Sequence, residues 1–508
     1  MRENTDRRIY AIFGSEPEVT AYALAKYSRS DLSMQESLRE LDEQKAEKFL
    51  NTFYFQYGHR SIADLAHVCI ALENISILAA MEVVHESKWD GQERSTRYQN
   101  FTKTGYFVPS SIKNSAAEAA YKRLAELLFQ EYRESTALLI EHLRAKHARP
   151  PEMSEPAYER TLRARAFDSA RYLLPLSTVT SVGQIVSART LEEQIVRLRS
   201  HPNEEIQEIG ELLKEACNRP AYNPHRETGE ALLARTIALS DAEREALSRE
   251  LLRDVRVAPT LVKYADPSPY LIETYAELGR IAAQLLPAPS AAPVEFSVDL
   301  IPDEAPFDEA VNTLLYRVCS HSYREIQAAT KALSHSRKEA ILHAALERRR
   351  AHDELLFELR VGYPFKFDIL MDIGAFRDLH RHRRCVQVCQ EPTAAHGYEK
   401  PPDLVLAGLE KRYDRAMHQA EQLFHRLTGE SLQAAPYVLP LGFRRRALFK
   451  MDFAEVQYIC ELRTAPQGHF AYQAAAYQMF LKVREREPEL ARSIRVHESW
   501  FEPDPLRR

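Results

Sequence analysis

Two landmarks recur in this chain with their spacing kept. Leu174-Pro175-Leu176 is matched by Leu439-Pro440-Leu441, with the prolines 265 residues apart, and Leu198-Arg199 by Leu462-Arg463, with the arginines 264 apart. A looser likeness links Ala23-Leu-Ala-Lys-Tyr-Ser28 to Leu314-Leu-Tyr-Arg-Val-Cys319. One shared tripeptide in a Leu- and Arg-rich helical sequence is easily a coincidence. Two landmarks that hold their separation are better explained by one module present twice. Between the copies, Pro287, Pro289, Pro293, Pro302 and Pro306 fall among Ala and Ser. Such a stretch is a stiff, extended linker and a natural boundary. The expected division is therefore 1–220, a helical extension and linker over 221–306, and 307–508.

Composition narrows the chemistry. The 508 residues include only 15 glycines, and no two lie close enough to make a G-x-G. The dinucleotide fingerprint and the phosphate-cradling loop both need glycine so that backbone can approach phosphate. Any phosphate here must be held by side chains or helix ends. Net charge is −5, whereas a duplex binder usually carries a basic excess, so no nucleic-acid partner is expected. No apolar run of 18 residues occurs, and Met1 to Arg8 leads into no signal core, so no membrane is expected either. Six scattered cysteines without a C-x-x-C suit a reducing, cytoplasmic setting. Cys385-x-x-x-Cys389 lacks a second pair, and no metal site is expected.

Much of the chain reads as helix. Tyr121, Leu124, Leu128, Tyr132, Leu139 and Leu143 recur at steps of three and four, predicting a helix over 115–147 with Ser115 as N-cap. Leu409, Tyr413, Ala416, Ala420, Phe424 and Leu427 predict another over 403–427, with Gly429 as C-terminal cap. Phe365, Phe367, Ile369, Met371 and Ile373 alternate with Lys366, Asp368 and Asp372, the mark of a half-buried strand. Val68, Ile70 and Leu72 suggest a similar strand, and Val294 to Leu300 a short one. The expected class is α+β, helices packed on antiparallel sheet.

Three segments could carry chemistry. Arg381-His382-Arg383 groups two guanidiniums and an imidazole that could grip a phosphate or pyrophosphate; a solvated basic tripeptide is the commoner meaning of such a run. If Gln92 to Tyr98 is extended, Glu93, Ser95 and Arg97 point one way. An acceptor, a hydroxyl and a fork together suit a nucleoside monophosphate, and equally a polar turn. Arg171 precedes Leu174-Pro175-Leu176 and reads as a phosphate or base contact or as a helix end. Arg189 and Arg199 follow on a segment expected to be helical.

Taken in order, these pieces resemble the flavin-dependent thymidylate synthases. That family carries R-H-R-x7-S-x-R-Y, then A-R-x-x-L-P-L, N-A-R and L-R. The order recurs in both halves here, over about residues 20–220 and 310–490, as a tandem and partly degenerate copy. The first half opens on Gly58-His59-Arg60-Ser61 and keeps Glu93-Arg94-Ser95-Thr96-Arg97-Tyr98, Arg171, Ser187-Ala188-Arg189 and Arg199. Its R-H-R positions hold His85-Glu86-Ser87. The second half keeps Arg381-His382-Arg383 and Arg463 but has Glu391, Thr393 and Pro436 where the serine and two arginines belong.

The resemblance implies complementary halves. Glu93, Ser95, Arg97 and Arg171 would hold substrate, Arg381, His382, Arg383 and Arg189 would hold FAD, and Arg199 would be catalytic, stabilising charge on the pyrimidine. The implied reaction is reductive methylation of dUMP to dTMP at a composite site, with methylenetetrahydrofolate and NADPH. A homodimer would form a pseudo-tetramer. The alternatives are a nucleotide- or flavin-binding regulatory protein without turnover, and a scaffold without a ligand.

Overall fold

The computed structural model describes residues 16–27, 60–236, 239–287, 295–351, 353–498 and 506. Gly58 and His59 of the opening motif and Ser28 of the looser repeat lie outside these. The first half runs α1 (Pro17–Tyr27), β1 (His67–Ser76), α2 (Ile77–Val83), β2 (Asp90–Glu93), α3 (Ala116–Lys146), α4 (Glu155–Ala170), β3 (Val179–Ser187), α5 (Ala188–Arg199) and α6 (Glu204–Asn218). Helices α7 (Arg226–Arg235), α8 (Asp241–Leu251) and α9 (Pro269–Leu285) follow. The second half runs β4 (Ser297–Leu300), α10 (Pro306–Arg317), α11 (Tyr323–Lys331), α12 (His335–Leu346), β5 (Phe365–Asp372), α13 (Ile373–Leu379), β6 (Val386–Cys389), α14 (Pro402–Leu406), α15 (Glu410–Glu430), β7 (Arg444–Met451), α16 (Phe453–Arg463) and α17 (Phe470–Arg486).

The repeat survives as topology. One sheet has the order β1-β3-β2 and the other β4-β5-β7-β6, so β5-β7-β6 repeats the first with β4 added at an edge. The second sheet is antiparallel throughout. Start positions keep two offsets: α2 and α13, like β2 and β6, begin 296 residues apart, while β3 and β7, like α5 and α16, begin 265 apart. The loss between them falls where α3 and α4 stand opposite α14 and α15. Even the caps correspond: Ser76 accepts from the Ala79 N–H and Asp372 from the Ala375 N–H, each satisfying one of a helix's orphan donors.

By contacts along the chain, the molecule forms two compact units. The first comprises 1–70, 184–199 and 207–267; the second comprises 71–183, 200–206 and 268–508. In the first, the Glu18 carboxylate accepts from the N–H groups of Thr260 (2.9 Å) and Leu261 (2.8 Å). The second contains the large core, and parts of both halves meet there about a local two-fold. The two Leu-Pro-Leu segments pair with each other: Leu176 N–H donates to Leu439 O and Leu441 N–H to Leu174 O, both at 2.9 Å. Ser177 donates to Tyr437 O and Gly442 to Tyr172 O in the same reciprocal way. Reciprocity of this kind is what an isologous contact between two like modules produces. Long helices α3 and α15 also meet, with Arg412 ion-paired to Glu131 and Glu134.

Several expectations need correction. The 365–373 strand is buried along both faces, because its polar members have internal partners: Lys366 meets Glu304 and Glu309, and Asp368 meets Arg446 and the Tyr316 hydroxyl. Burial of paired charge imitates a solvated face in sequence. The 403–427 helix is broken at Gly408, whose φ of +73° is left-handed, and Gly429 lies inside α15, which runs to Glu430. Ser115 is the N-cap residue of α3 as expected, but its hydroxyl donates to Ile112 O instead of accepting from the first turn. The strand at 67–76 and the short one at 297–300 are present.

Candidate functional site

Strand β2 ends at Glu93 and a turn follows at 96–98. The segment 92–98 is therefore not extended throughout, and its side chains do not share one face. Arg97 turns inward. Its guanidinium donates to both Asp168 oxygens (2.9 and 3.3 Å), the Tyr472 hydroxyl (2.9 Å) and Gln467 O (3.2 Å). Ser95 accepts from the Arg97 N–H at 3.2 Å. Arg171, 1% exposed, sits in the 3-10 turn after α4 and pairs with Asp378 at 3.0 Å. Burial would raise the Asp378 carboxyl, but Arg171, Arg97, Arg381 and Arg463 around it hold it below its ordinary range.

Helix α13 is buried along its whole length, and it aims its last turn at β2. Arg377 is ion-paired to Glu93, with both side chains under a tenth exposed. This joins the halves directly. A cavity of about 190 Å³ opens beside that pair, lined by Val84, Trp89 to Glu93, Arg377, His380, Arg381 and Arg383. The Arg383 guanidinium stands 4.9 Å from the Trp89 ring centroid, a cation–π distance, and burial pulls its pKa down to about 10. Gly91 is required here: a Cβ would stand 2.3 Å from Gly183 O and 2.6 Å from the Trp89 ring.

Two buried polar atoms at the cavity have no partner, Arg377 Nε and His380 Nδ1. The other ring nitrogen of His380 is 3.2 Å from His85 Nδ1. His382, between the two cavity arginines in sequence, turns the other way. Its Nε2 accepts from Arg463 Nε at 2.7 Å, which leaves Nδ1 to donate to Glu455 at 3.2 Å. Alternation along a short turn separates the three residues of the motif.

The structure thus brings Glu93, Arg381 and Arg383 to one cavity and engages Arg97 and Arg171 just behind it with carboxylates. Arg189 and Arg199 belong to the first unit. There Arg189 pairs with Asp64 and Glu193, and Arg199 with Glu211 and Asp266. Arg463, which shares the place of Arg199 in the second half, contacts the R-H-R segment. Sequence reasoning missed Trp89, His85, Arg377, Asp378 and His380 as site residues. Arg377 and Arg381 are four apart at a helix end, and Trp89 is one of two tryptophans, signals that were available. Among the described residues no group of His, Cys, Asp and Glu could hold a metal, and no helix is long and apolar enough to cross a membrane.

Comparison with known proteins agrees with the repeat. The chain is 28% identical to a UPF0159 protein of Chlamydia muridarum, over 96% of this chain and 91% of that protein. It is 23% identical to the flavin-dependent thymidylate synthase of Clostridium tetani, over 50% of this chain and 83% of that one. Among solved structures, the flavin-dependent thymidylate synthase ThyX of Helicobacter pylori, complexed with FAD and dUMP, matches 40% of this chain and 89% of its own at 16% identity and a TM-score of 0.25. The profile of the Thy1 family, thymidylate synthase complementing protein, matches twice, over residues 11–221 and 302–489. Covered over more than half its length by two copies of one module, the chain belongs to the Thy1 family of thymidylate synthase complementing proteins.

Proposed function

We propose that this protein is a flavin-dependent thymidylate synthase whose site is composed from its two halves, reductively methylating dUMP to dTMP with FAD, methylenetetrahydrofolate and NADPH. The observation that carries this reading is the cavity itself, where Glu93 of one half is ion-paired to Arg377 of the other beside Arg381 and Arg383.

The donor set suits the anionic part of FAD. Arg377 and His380 each leave a buried nitrogen without a partner, and three guanidiniums converge with two carboxylates, Asp90 and Glu93, among them. A volume of about 190 Å³ is below the roughly 300 Å³ of common small-molecule sites. It takes a phosphate-sized group, and the rest of a dinucleotide would extend from its mouth. Arg377, Arg381 and Arg383 would hold the pyrophosphate by charge-assisted hydrogen bonds. FAD, when bound, supplies hydride; the chain's part is to bind, orient and balance charge. Asp378, kept ionised, fixes Arg171 and restrains the arginines around it. Assembly as a homodimer, forming a pseudo-tetramer, would bring a second copy to the cavity mouth.

One observation favours a second reading, a nucleotide- or flavin-binding protein without turnover. Arg97, expected to meet a substrate phosphate, already makes four hydrogen bonds within the chain. The test is purification with its flavin spectrum, followed by tritium release from dUMP labelled at C5. Flavin with release supports the synthase. Flavin or dUMP binding without release selects the second reading, and neither binding nor release removes both.

A further inference from the structure

The cavity carries a feature that the arginines do not explain. His380 lines it, 4% exposed, with Nδ1 unpartnered and Nε2 3.2 Å from Nδ1 of the half-buried His85. Two imidazoles joined in this way share one hydrogen, since one nitrogen must donate and the other accept. The rings meet edge to face at 5.1 Å, and His380 also packs edge-on against Phe376 at 4.8 Å. We propose that the cavity takes its phosphate-type anion together with one proton, held on the His380–His85 pair. This rests on the reading of the cavity as an anion site.

The charges facing the pair are unbalanced. From its own helix and the turn beyond come Arg377, Arg381 and Arg383; from β7 comes Arg445, stacked over Phe376 at 4.5 Å. Two carboxylates line the cavity against these guanidiniums, Glu93, which is already paired with Arg377, and Asp90, which is exposed on β2, while Glu82 and Glu86 flank His85 in sequence. Burial, then Arg383, His85, Arg445 and Arg377, push the His380 pKa well below its ordinary value, which favours the neutral ring. A bound dianion offsets the part of that depression that comes from the surrounding guanidiniums and favours the protonated ring. The affinity of a nitrogen facing the anion then rises, and binding draws in a proton. By linkage the anion binds more tightly as pH falls. His380 Nδ1, left without a partner, becomes a donor to the anion once protonated.

Isothermal titration calorimetry of the full chain tests this, with sulfate as a probe that stays a dianion across the range and FAD as a pyrophosphate probe. Titrations in two buffers of different ionisation enthalpy give the protons taken up. About one proton per anion is expected near pH 6, falling toward zero by about pH 8, with affinity dropping about tenfold per pH unit inside that window. His380→Gln should reduce the uptake to less than half, and His85→Gln provides the same readout should the buried substitution fail to fold. Binding of both probes with no proton uptake, or with uptake unchanged in both variants, overturns the inference and leaves the anion site standing. No binding of either probe overturns both.

Discussion

The second compact unit holds the same arrangement twice, and the two copies carry different side chains. At the cavity, Trp89, Glu93, Arg377, His380, Arg381 and Arg383 face one another. The 296-residue offset places Cys385, Cys389, Met81, Val84, His85 and Ser87 at the corresponding positions. Where Arg377 pairs with Glu93, the counterpart has Met81 and Cys389, both members of the apolar core. The serine position of the second copy, Glu391, pairs with Arg317 at 2.9 Å, and Arg317 also donates to Cys389 O at 3.0 Å. Arg445 closes on Gln390 O at 2.6 Å. One copy keeps a surplus of positive charge beside a cavity, and the other places Met81, Cys385 and Cys389 in the apolar core, with Glu391 and Arg317 ion-paired nearby. Duplication permits this: once one site suffices, the second is free to gain stability by filling.

The largest way to break the comparison is at the buried pair behind the cavity. Arg171→Met should cost about 3–5 kcal/mol, because Asp378 then loses its closest cation in a desolvated place. In the other copy, where Pro436 stands at the position of Arg171, Glu391→Gln removes a pair whose carboxylate is more than half exposed, and should cost at most about 1 kcal/mol. Urea denaturation of both variants measures the difference, and similar losses would mean that the copies are energetically alike. Next comes ligand affinity. Arg381→Ala with Arg383→Ala should weaken FAD at least about a hundredfold, at about 1.5–3 kcal/mol for each charge-assisted bond lost. Ser87→Ala, at the position matching Arg383, should change it less than about twofold. A flavin fluorescence titration reads both, and an equal effect would move the flavin site away from the cavity.

The sequence made the duplication legible because prolines and arginines at fixed offsets are rigid markers, and topology conserved around them followed. The long helix α3 was legible from its apolar period. What was hidden has a common physical cause. Lys366 and Asp368 alternate with apolar residues as a solvated face would, yet each is buried with a charge partner distant in sequence. His382 reads as a member of a basic cluster, and only the turn after α13 sends it toward Glu455. Arg97 and Arg171 have the right type for phosphate, but whether a guanidinium meets a ligand or Asp168 and Asp378 is decided by tertiary contacts 71 and 207 residues apart. Charged groups reveal their presence in a sequence and conceal their partners.

Gly91 sharpens the comparison at smaller scale. Its counterpart is Gln387, which bears a side chain and uses it to donate to His382 O at 2.6 Å. Gly91→Ala pushes a methyl against backbone and indole, and overpacking of this kind costs about 1–3 kcal/mol. Trp89 must shift with it, so Arg383 should lose its platform and FAD affinity should fall along with stability. Thermal denaturation and the fluorescence titration together check this. An unchanged melting temperature would show that β2 can move away from β3.

The smallest expected effect concerns pH, and it also separates the copies. His380 is buried and its folded pKa is depressed, whereas its counterpart Val84 cannot titrate. The unfolded chain binds a proton near the ordinary histidine value of about 6.5, and the folded chain does so only at lower pH. His380 therefore contributes stability that is complete above that value and is lost progressively as pH falls toward the folded pKa. Within that window one histidine can contribute a slope of at most about 1.4 kcal/mol per pH unit. His382 and His469 have depressed values as well, so the wild-type slope sums several groups. The informative quantity is the difference: His380→Gln should flatten the dependence of unfolding free energy between about pH 6.5 and 5, while Val84→Ala should shift it without changing its slope. A wild-type slope unaltered by the His380 substitution would mean that the cavity histidine is solvated like any surface imidazole.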